Sequence, residues 1–278
     1  MNAIARISFP TLRLLAVAVV AVNGIFPALW MLLTSLKSEV ELVSVPITWL
    51  PRDASLANYL RAFTEQPLPT FLLNSLVVSL LATASTLLVS SLAAYALARL
   101  RLRGRTLVLG VLLGASMFPL VTLMVPLFET MRSLGLLNSY AALILPYTVM
   151  NLPVCTLVLV SFFQSIPADI ENAAMLDGCS RIGALWHVVL PLSAPGVFTA
   201  GILAFVNAWD EFLMALAFNA TPAMRTLPVG ITLYQGEYSF PWPVISAALV
   251  VAIVPVALLI IVFQGRVVSG LSAGGMKG

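Results

Sequence analysis

Apolar positions dominate this chain in long runs, and polar positions interrupt the runs at intervals. A helix that crosses a bilayer needs about 20 mostly apolar residues. Six stretches reach that length: 12–35, 71–98, 106–128, 140–163, 194–218 and 243–264. Each is expected to be a helix, because a span in lipid must satisfy its own backbone hydrogen bonds. The expected fold class is therefore an all-α polytopic membrane protein with six transmembrane helices. Residues 1–70 would hold an N-terminal segment, the first span and an external loop. Residues 71–264 would form a five-helix core, and 265–278 a tail.

Composition strengthens this picture. Hydrophobic residues make up 60% of the chain and charged ones 9%, against about 25% charged in soluble domains. Mean hydropathy is +1.04. The net charge of +3 reads as orientation in a bilayer rather than nucleic-acid binding. Nine cations fall on one side of the expected spans: Arg6, Arg13, Arg99, Arg101, Arg103, Arg105, Arg181, Arg266 and Lys277. Five fall on the other, Lys37, Arg52, Arg61, Arg132 and Arg225, spread over longer loops. The richer side is expected to be cytoplasmic, which puts both termini there. The first apolar run lacks a small-residue cleavage site and continues too far for a cleavable signal peptide. Cys155 lies in a span and Cys179 outside one, too far apart to bond, and no metal-ligand spacing exists. No Gly-x-x-x-x-Gly-Lys sequence is present, so ATP binding is not expected of this chain. His187 has no nucleophile beside it, which argues against covalent catalysis.

Inside the spans, polar residues mark contacts or cavities. The second span is rich in Ser, Ala and Thr, the residues of helix–helix contact in membranes. The Arg cluster after it reads as a topological anchor. Pro119 and Pro126 lie two turns apart in the third span, where freed carbonyls could line a cavity or the helix could bend for packing. Asn151 wants a partner in hydrocarbon, either another helix or a substrate. Asn207, Trp209, Asp210 and Glu211 form a possible sugar-facing group, an aromatic face with acceptors for hydroxyls. The alternative is an interfacial Trp beside acids that reach toward water.

The longest polar-leaning interruption of the second half is 164–196. Pro167 suits a first helical position, Asp169 and Glu171 suit the first turn, and Gly178 suits a left-handed end. A second short helix, about Ser180 to Leu190, would run into Pro191. The first helix sets Ile170, Ala173 and Ala174 on one small face, with Met175 and Leu176 beside it. Such a face could be a socket for another protein or could pack on the protein's own spans.

The run from Glu171 to Gly178, followed nine residues later by Val188-Val189-Leu190-Pro191, closely resembles the EAA coupling loop of ABC importer permeases. Ala173, Ala174, Asp177, Gly178, Leu190 and Pro191 match that pattern; Asn172 stands where the family often has Glu, with Glu171 next door. Further segments resemble carbohydrate permeases of the maltose-transporter type. These are Phe118-Pro119, Pro126-Leu127-Phe128, Leu134-Gly135-Leu136, Ala142 to Pro146, Trp209 with Glu211 and Phe212, Thr226 to Gly230, and the closing Gly274, Gly275 and Lys277. The resemblance implies a type I importer permease whose 164–192 loop docks on a separate ATPase. It also implies a second related permease subunit, two ATPase subunits that hold ATP and Mg²⁺, and an extracytoplasmic solute-binding protein. A sugar or oligosaccharide would cross a prokaryotic cytoplasmic membrane by alternating access. Glu171, Asn172, Ala173, Ala174, Asp177, Gly178, Leu190 and Pro191 would couple to the ATPase, with Gly274, Gly275 and Lys277 reaching it from the tail. Asn151, Asn207, Trp209, Asp210 and Glu211 would line the substrate path. Other readings are a permease for glycerol phosphate or a polyamine, an ion-driven secondary transporter, and a membrane enzyme.

Overall fold

The computed structural model describes residues 9–100, 102–236 and 239–275. Among these the chain is built from helices without a strand. In chain order they are α1 (Phe9–Ser35), α2 (Ala57–Glu65), α3 (Leu68–Arg99), α4 (Arg105–Ser116), α5 (Leu120–Ser133) and α6 (Ala141–Ser165). There follow α7 (Ala168–Leu176), α8 (Arg181–Leu192), α9 (Ala194–Asp210), α10 (Leu213–Phe218), α11 (Leu227–Thr232) and α12 (Trp242–Gly275). Four helical stretches are long and apolar enough to cross a membrane alone: Arg13–Ser35, α3, α6 and Trp242–Phe263. Two pairs reach that length only together, α4 with α5 bent by 93° and α8 with α9 bent by 85°, giving up to six spans.

Two expectations are corrected. Residues 106–128 are not one continuous span. The helix stops at Ser116 and restarts after Pro119, whose backbone is extended (φ −64°, ψ 122°). Proline lacks the donor a helix needs and drives the preceding residue out of helical geometry. Pro126 stays inside α5, so only one of the two prolines breaks the segment. Residues 194–218 are likewise interrupted, because Glu211 is extended (φ −67°, ψ 127°) between α9 and α10. The tail is helical to Gly275; Lys277 lies outside the described residues.

The chain packs as two units, Met1–Leu68 with Ile231–Val254, and Pro69–Gly230 with Pro255–Gly278. In the first, the loop after α1 is tied down by polar contacts. Asn58 Nδ2 donates to the carbonyls of Ser35 and Lys37, both at 2.8 Å, and the Ser35 and Tyr59 hydroxyls are 2.8 Å apart. Lys37 is buried, donating to the Thr48 carbonyl and lying 4.9 Å from the Trp30 ring. Tyr234 donates to the Ala62 carbonyl, and burial together with the nearby Glu65 charge pushes its phenol up to about 12.

In the second unit α6 packs against α4 and α9. The expected small-residue face of α3 is present: Ser75, Ser79, Ala82, Thr86, Ser90 and Ala94 are all buried, while Leu73, Leu80, Leu88 and Leu92 are exposed. The spacing of three and four places the buried set on one stripe. The α6–α9 contact is close at Gly196, where an added Cβ would sit 2.3 Å from Phe162 Cγ. One core cluster joins Ala94, Tyr95 and Leu97 to Cys155, Leu159, Phe163, Leu185 and Val189. Another joins Val78 and Ala82 to Tyr147, Met214 and Phe218.

Candidate functional site

The exposed turn between α6 and α8 is organised by backbone chemistry. Pro167 sits one place earlier than expected, as the residue before α7, with φ −57° and ψ 132°. Gly178 has φ +92°, a conformation that a side chain makes costly. Its N–H donates to the Met175 carbonyl at 3.1 Å, and the Cys179 N–H reaches the Ala174 carbonyl at 3.0 Å. This pair of bonds is a Schellman cap, which satisfies the last carbonyls of α7 and turns the chain sharply. Ser180 then caps α8, its hydroxyl accepting from the Gly183 N–H at 3.0 Å. Contrary to expectation α8 does not end at Pro191; it passes through a π-wound stretch, Leu185–Val189, and runs on to Leu192.

The two faces of α7 differ. Asn172, Ala173 and Asp177 are exposed and Ala174 is half-buried, with Ile170 44% and Leu176 89% exposed. Glu171 points the other way and is 4% exposed. Its carboxylate accepts from the Tyr95 hydroxyl and pairs with Arg99 Nε at 2.8 Å. Arg99 also donates through Nη2 to the Ile166 carbonyl at 3.0 Å, at the end of α6. Glu171 therefore does not stand on the outward face with its neighbours. The Arg cluster after α3 is more than an anchor, since Arg99 is in this network. Leu190 is also turned inward, packed on the Leu185–Val189 core cluster, while Pro191 is exposed. Tyr95 was not singled out by sequence, and Arg99 was read only as part of a topological anchor; its place in the last turn of α3 was the local signal.

A second polar place lies among α5, α6 and α9. A cavity of about 240 Å³ is lined by Leu120, Tyr147, Met150, Asn151, Asn207 and Glu211. Asn207 Nδ2 donates to Asn151 Oδ1 at 3.1 Å, and Asn151 Nδ2 donates to the Tyr147 carbonyl at 2.8 Å. Glu211 Oε2 accepts from the Tyr147 hydroxyl at 2.5 Å, while the Met214 and Ala215 N–H groups donate to its carboxylate at 2.9 and 3.2 Å. Those donors are the free N–H groups at the start of α10, where an acid is favoured. Three of the five expected path residues thus meet in one cavity. The other two do not line it. Trp209 is 3% exposed and stacks on Phe205 at 5.6 Å, and Asp210 is exposed elsewhere. Asn207 and Glu211, four residues apart, fall on one side at the end of α9, and Trp209, two residues from each, falls on the other. Tyr147 is the polar lining residue that sequence reasoning did not place on the path.

Broken apolar helices around a polar cavity, with a short exposed helix at a turn between spans, are the parts of a membrane transport subunit. The chain belongs to the family of binding-protein-dependent transport system inner membrane components, whose sequence pattern matches residues 68–272. It is 70% identical over 267 residues to a sulfoquinovosyl glycerol transport system permease protein of Agrobacterium fabrum, covering 96% of this chain and 94% of that one. A trehalose/maltose transport system permease protein of Thermococcus litoralis is 38% identical over 270 residues, covering 96% of each. The fold is also that of a bacterial ABC transporter chain involved in import of the acidic polysaccharide alginate. That likeness has a TM-score of 0.81 at 22% identity, over 95% of this chain and 98% of the other. The chain is thus a multi-pass inner-membrane permease component with the type I importer fold.

Proposed function

We propose that this chain is the permease subunit of an ATP-driven importer for a sugar conjugate of the sulfoquinovosyl glycerol class. The observation that carries the cargo is the 70% identity to a permease named for that solute, sustained along 96% of the chain. The outward face of α7 supports the mechanism. Ile170, Ala173 and Leu176 form an apolar, small-residue surface on a capped helix whose inward Glu171 is engaged by Tyr95 and Arg99. A separate ATPase, holding ATP and Mg²⁺, grips this helix within the 164–192 loop of a 71–264 core, and Gly274 and Gly275 approach it from the end of α12. A second related permease completes the path, and a solute-binding protein delivers the cargo from outside. Both termini are cytoplasmic in a prokaryotic membrane, where the positive-inside bias puts them. Nucleotide binding favours one of two arrangements of the spans, and hydrolysis restores the other.

The cavity is the part of the path this subunit supplies. Its polar lining consists of two amides, a phenol and a carboxylate. Its carboxylate accepts hydrogen bonds from sugar hydroxyls and repels a sulfonate, and the amides can both donate to and accept from hydroxyls. Asn151, Asn207 and Glu211 therefore read the hydroxylated part of the cargo. The test is uptake into proteoliposomes that hold the full transporter. Uptake of a sulfoquinovosyl glycoside that requires both ATP and the binding protein is the expected result. Gly178→Asp abolishes it while the protein still inserts, because the substitution strains the cap and places a charge on the docking surface. Undiminished uptake by that variant, or uptake by this chain with no ATPase present, contradicts the proposal.

A further inference from the structure

We infer that Tyr95, Glu171 and Arg99 form a drive link that fixes α7 to the end of α3, so that a displacement of the short helix is delivered to α3 as rigid motion. The inference rests on the proposed role of α7 as the part an ATPase grips. A helix of nine residues does not hold itself together in water, so its position comes from its ties to the rest of the chain. Its inward side offers one buried polar group, and that group is Glu171. Two side chains from the last turns of α3, Tyr95 and Arg99, reach it, and Arg99 in turn donates to the Ile166 carbonyl at the end of α6.

The choice of an ion pair matters for transmission. Apolar side chains can slide over one another with little change in energy. A buried carboxylate bonded by a phenol and paired with a guanidinium loses both partners if it moves, and leaving them strands a charge. Arg99 Nε meets Glu171 Oε2 as an ion pair at 2.8 Å rather than as an aligned hydrogen bond. Such a contact moves as a unit. Arg99 also holds the point where α6 ends, so α7 cannot be displaced without carrying two spans with it. From α3 the motion enters the core through the small-residue stripe that packs Ser90 and Ala94 inside. Asp169 and Asp177 nearby are exposed; Arg181, also exposed, adds its charge near Tyr95 without bonding to it. Tyr95, Glu171 and Arg99 are positioning residues; they touch neither cargo nor nucleotide.

The test uses the assembled transporter in proteoliposomes and reads solute taken up per ATP hydrolysed, together with hydrogen exchange over residues 168–178. The variants are Glu171→Gln, which keeps size and can still bond Tyr95; Tyr95→Phe, which removes one hydroxyl; and the exchange Glu171→Arg with Arg99→Glu. The link predicts that Glu171→Gln lowers uptake per ATP by roughly tenfold or more while hydrolysis continues, that exchange in 168–178 quickens, and that Tyr95→Phe does the same more weakly. The exchanged pair recovers most of the ratio, which a general loss of stability does not allow. An unchanged ratio with unchanged exchange in Glu171→Gln overturns the link. So does a fall of uptake and hydrolysis in equal proportion. If the unaltered transporter shows no ATP-driven uptake, the functional reading fails instead. The link is then decided by exchange alone: quickened in Glu171→Gln and restored by the exchanged pair, or overturned.

Discussion

Two glutamates, forty residues apart in sequence, are each held by a tyrosine hydroxyl, and what completes each site differs. Glu171 meets Arg99 at 2.8 Å. Among the described residues Glu211 meets no cation; its other partners are the N–H groups of Met214 and Ala215. The first arrangement cancels the charge and joins α3, the end of α6 and α7. The second leaves a net negative charge at the start of α10, on the wall of a cavity, steadied by the helix's own N-terminal donors. A paired carboxylate fits a joint that must transmit force. An unpaired one fits a surface that must accept hydrogen bonds from a solute.

The largest expected effect breaks the first site. Glu171→Ala strands a buried guanidinium and should destabilise the protein by about 3–5 kcal/mol, read as a lower melting temperature in detergent and less assembled transporter. Gly196→Leu drives a side chain into Phe162 and should cost about 1–3 kcal/mol in the same melt. Because it lies in neither glutamate site, it separates plain packing loss from loss of the joint. Glu211→Gln keeps shape at the second site but loses the charge, worth about 1.5–3 kcal/mol for hydrogen bonds to ionised groups. Uptake should fall while the ratio of uptake to ATP hydrolysed for bound cargo holds. Asn207→Ala removes one amide from the cavity wall and should raise the half-saturating cargo concentration by up to roughly tenfold, the worth of one hydrogen bond. Trp209→Phe should do least. Its ring stacks on Phe205 away from the cavity, so an altered cargo preference in that variant would erase the distinction drawn between positions 209 and 211.

Legibility in the sequence followed the range of the interaction. The left-handed Gly178 turn and the buried stripe of α3 were readable because each is written in consecutive or helically spaced residues. Pro119 and Pro126 were both visible as potential breaks, but their local chemistry is alike, and only one of them ends a helix in the fold. Trp209 and Glu211 were grouped because they are close in sequence, but positions two apart on a helix face opposite sides, and they meet different surroundings. Neither tyrosine–glutamate bond was readable. Tyr95 and Glu171 are separated by 76 residues and Tyr147 and Glu211 by 64, and one sequence carries no record of which distant polar residues meet. Glu171 misled for the same reason. It sits among residues of an outward face, and a single step around the helix turns it inward.

The measurement closest to the central claim is a photoreactive residue placed at position 176, the most exposed apolar site on α7, in the complete transporter. The account predicts that it captures the ATPase subunit, and that the yield changes when ATP is bound and again after hydrolysis. Capture only of this chain's own helices, with no dependence on nucleotide, would contradict it.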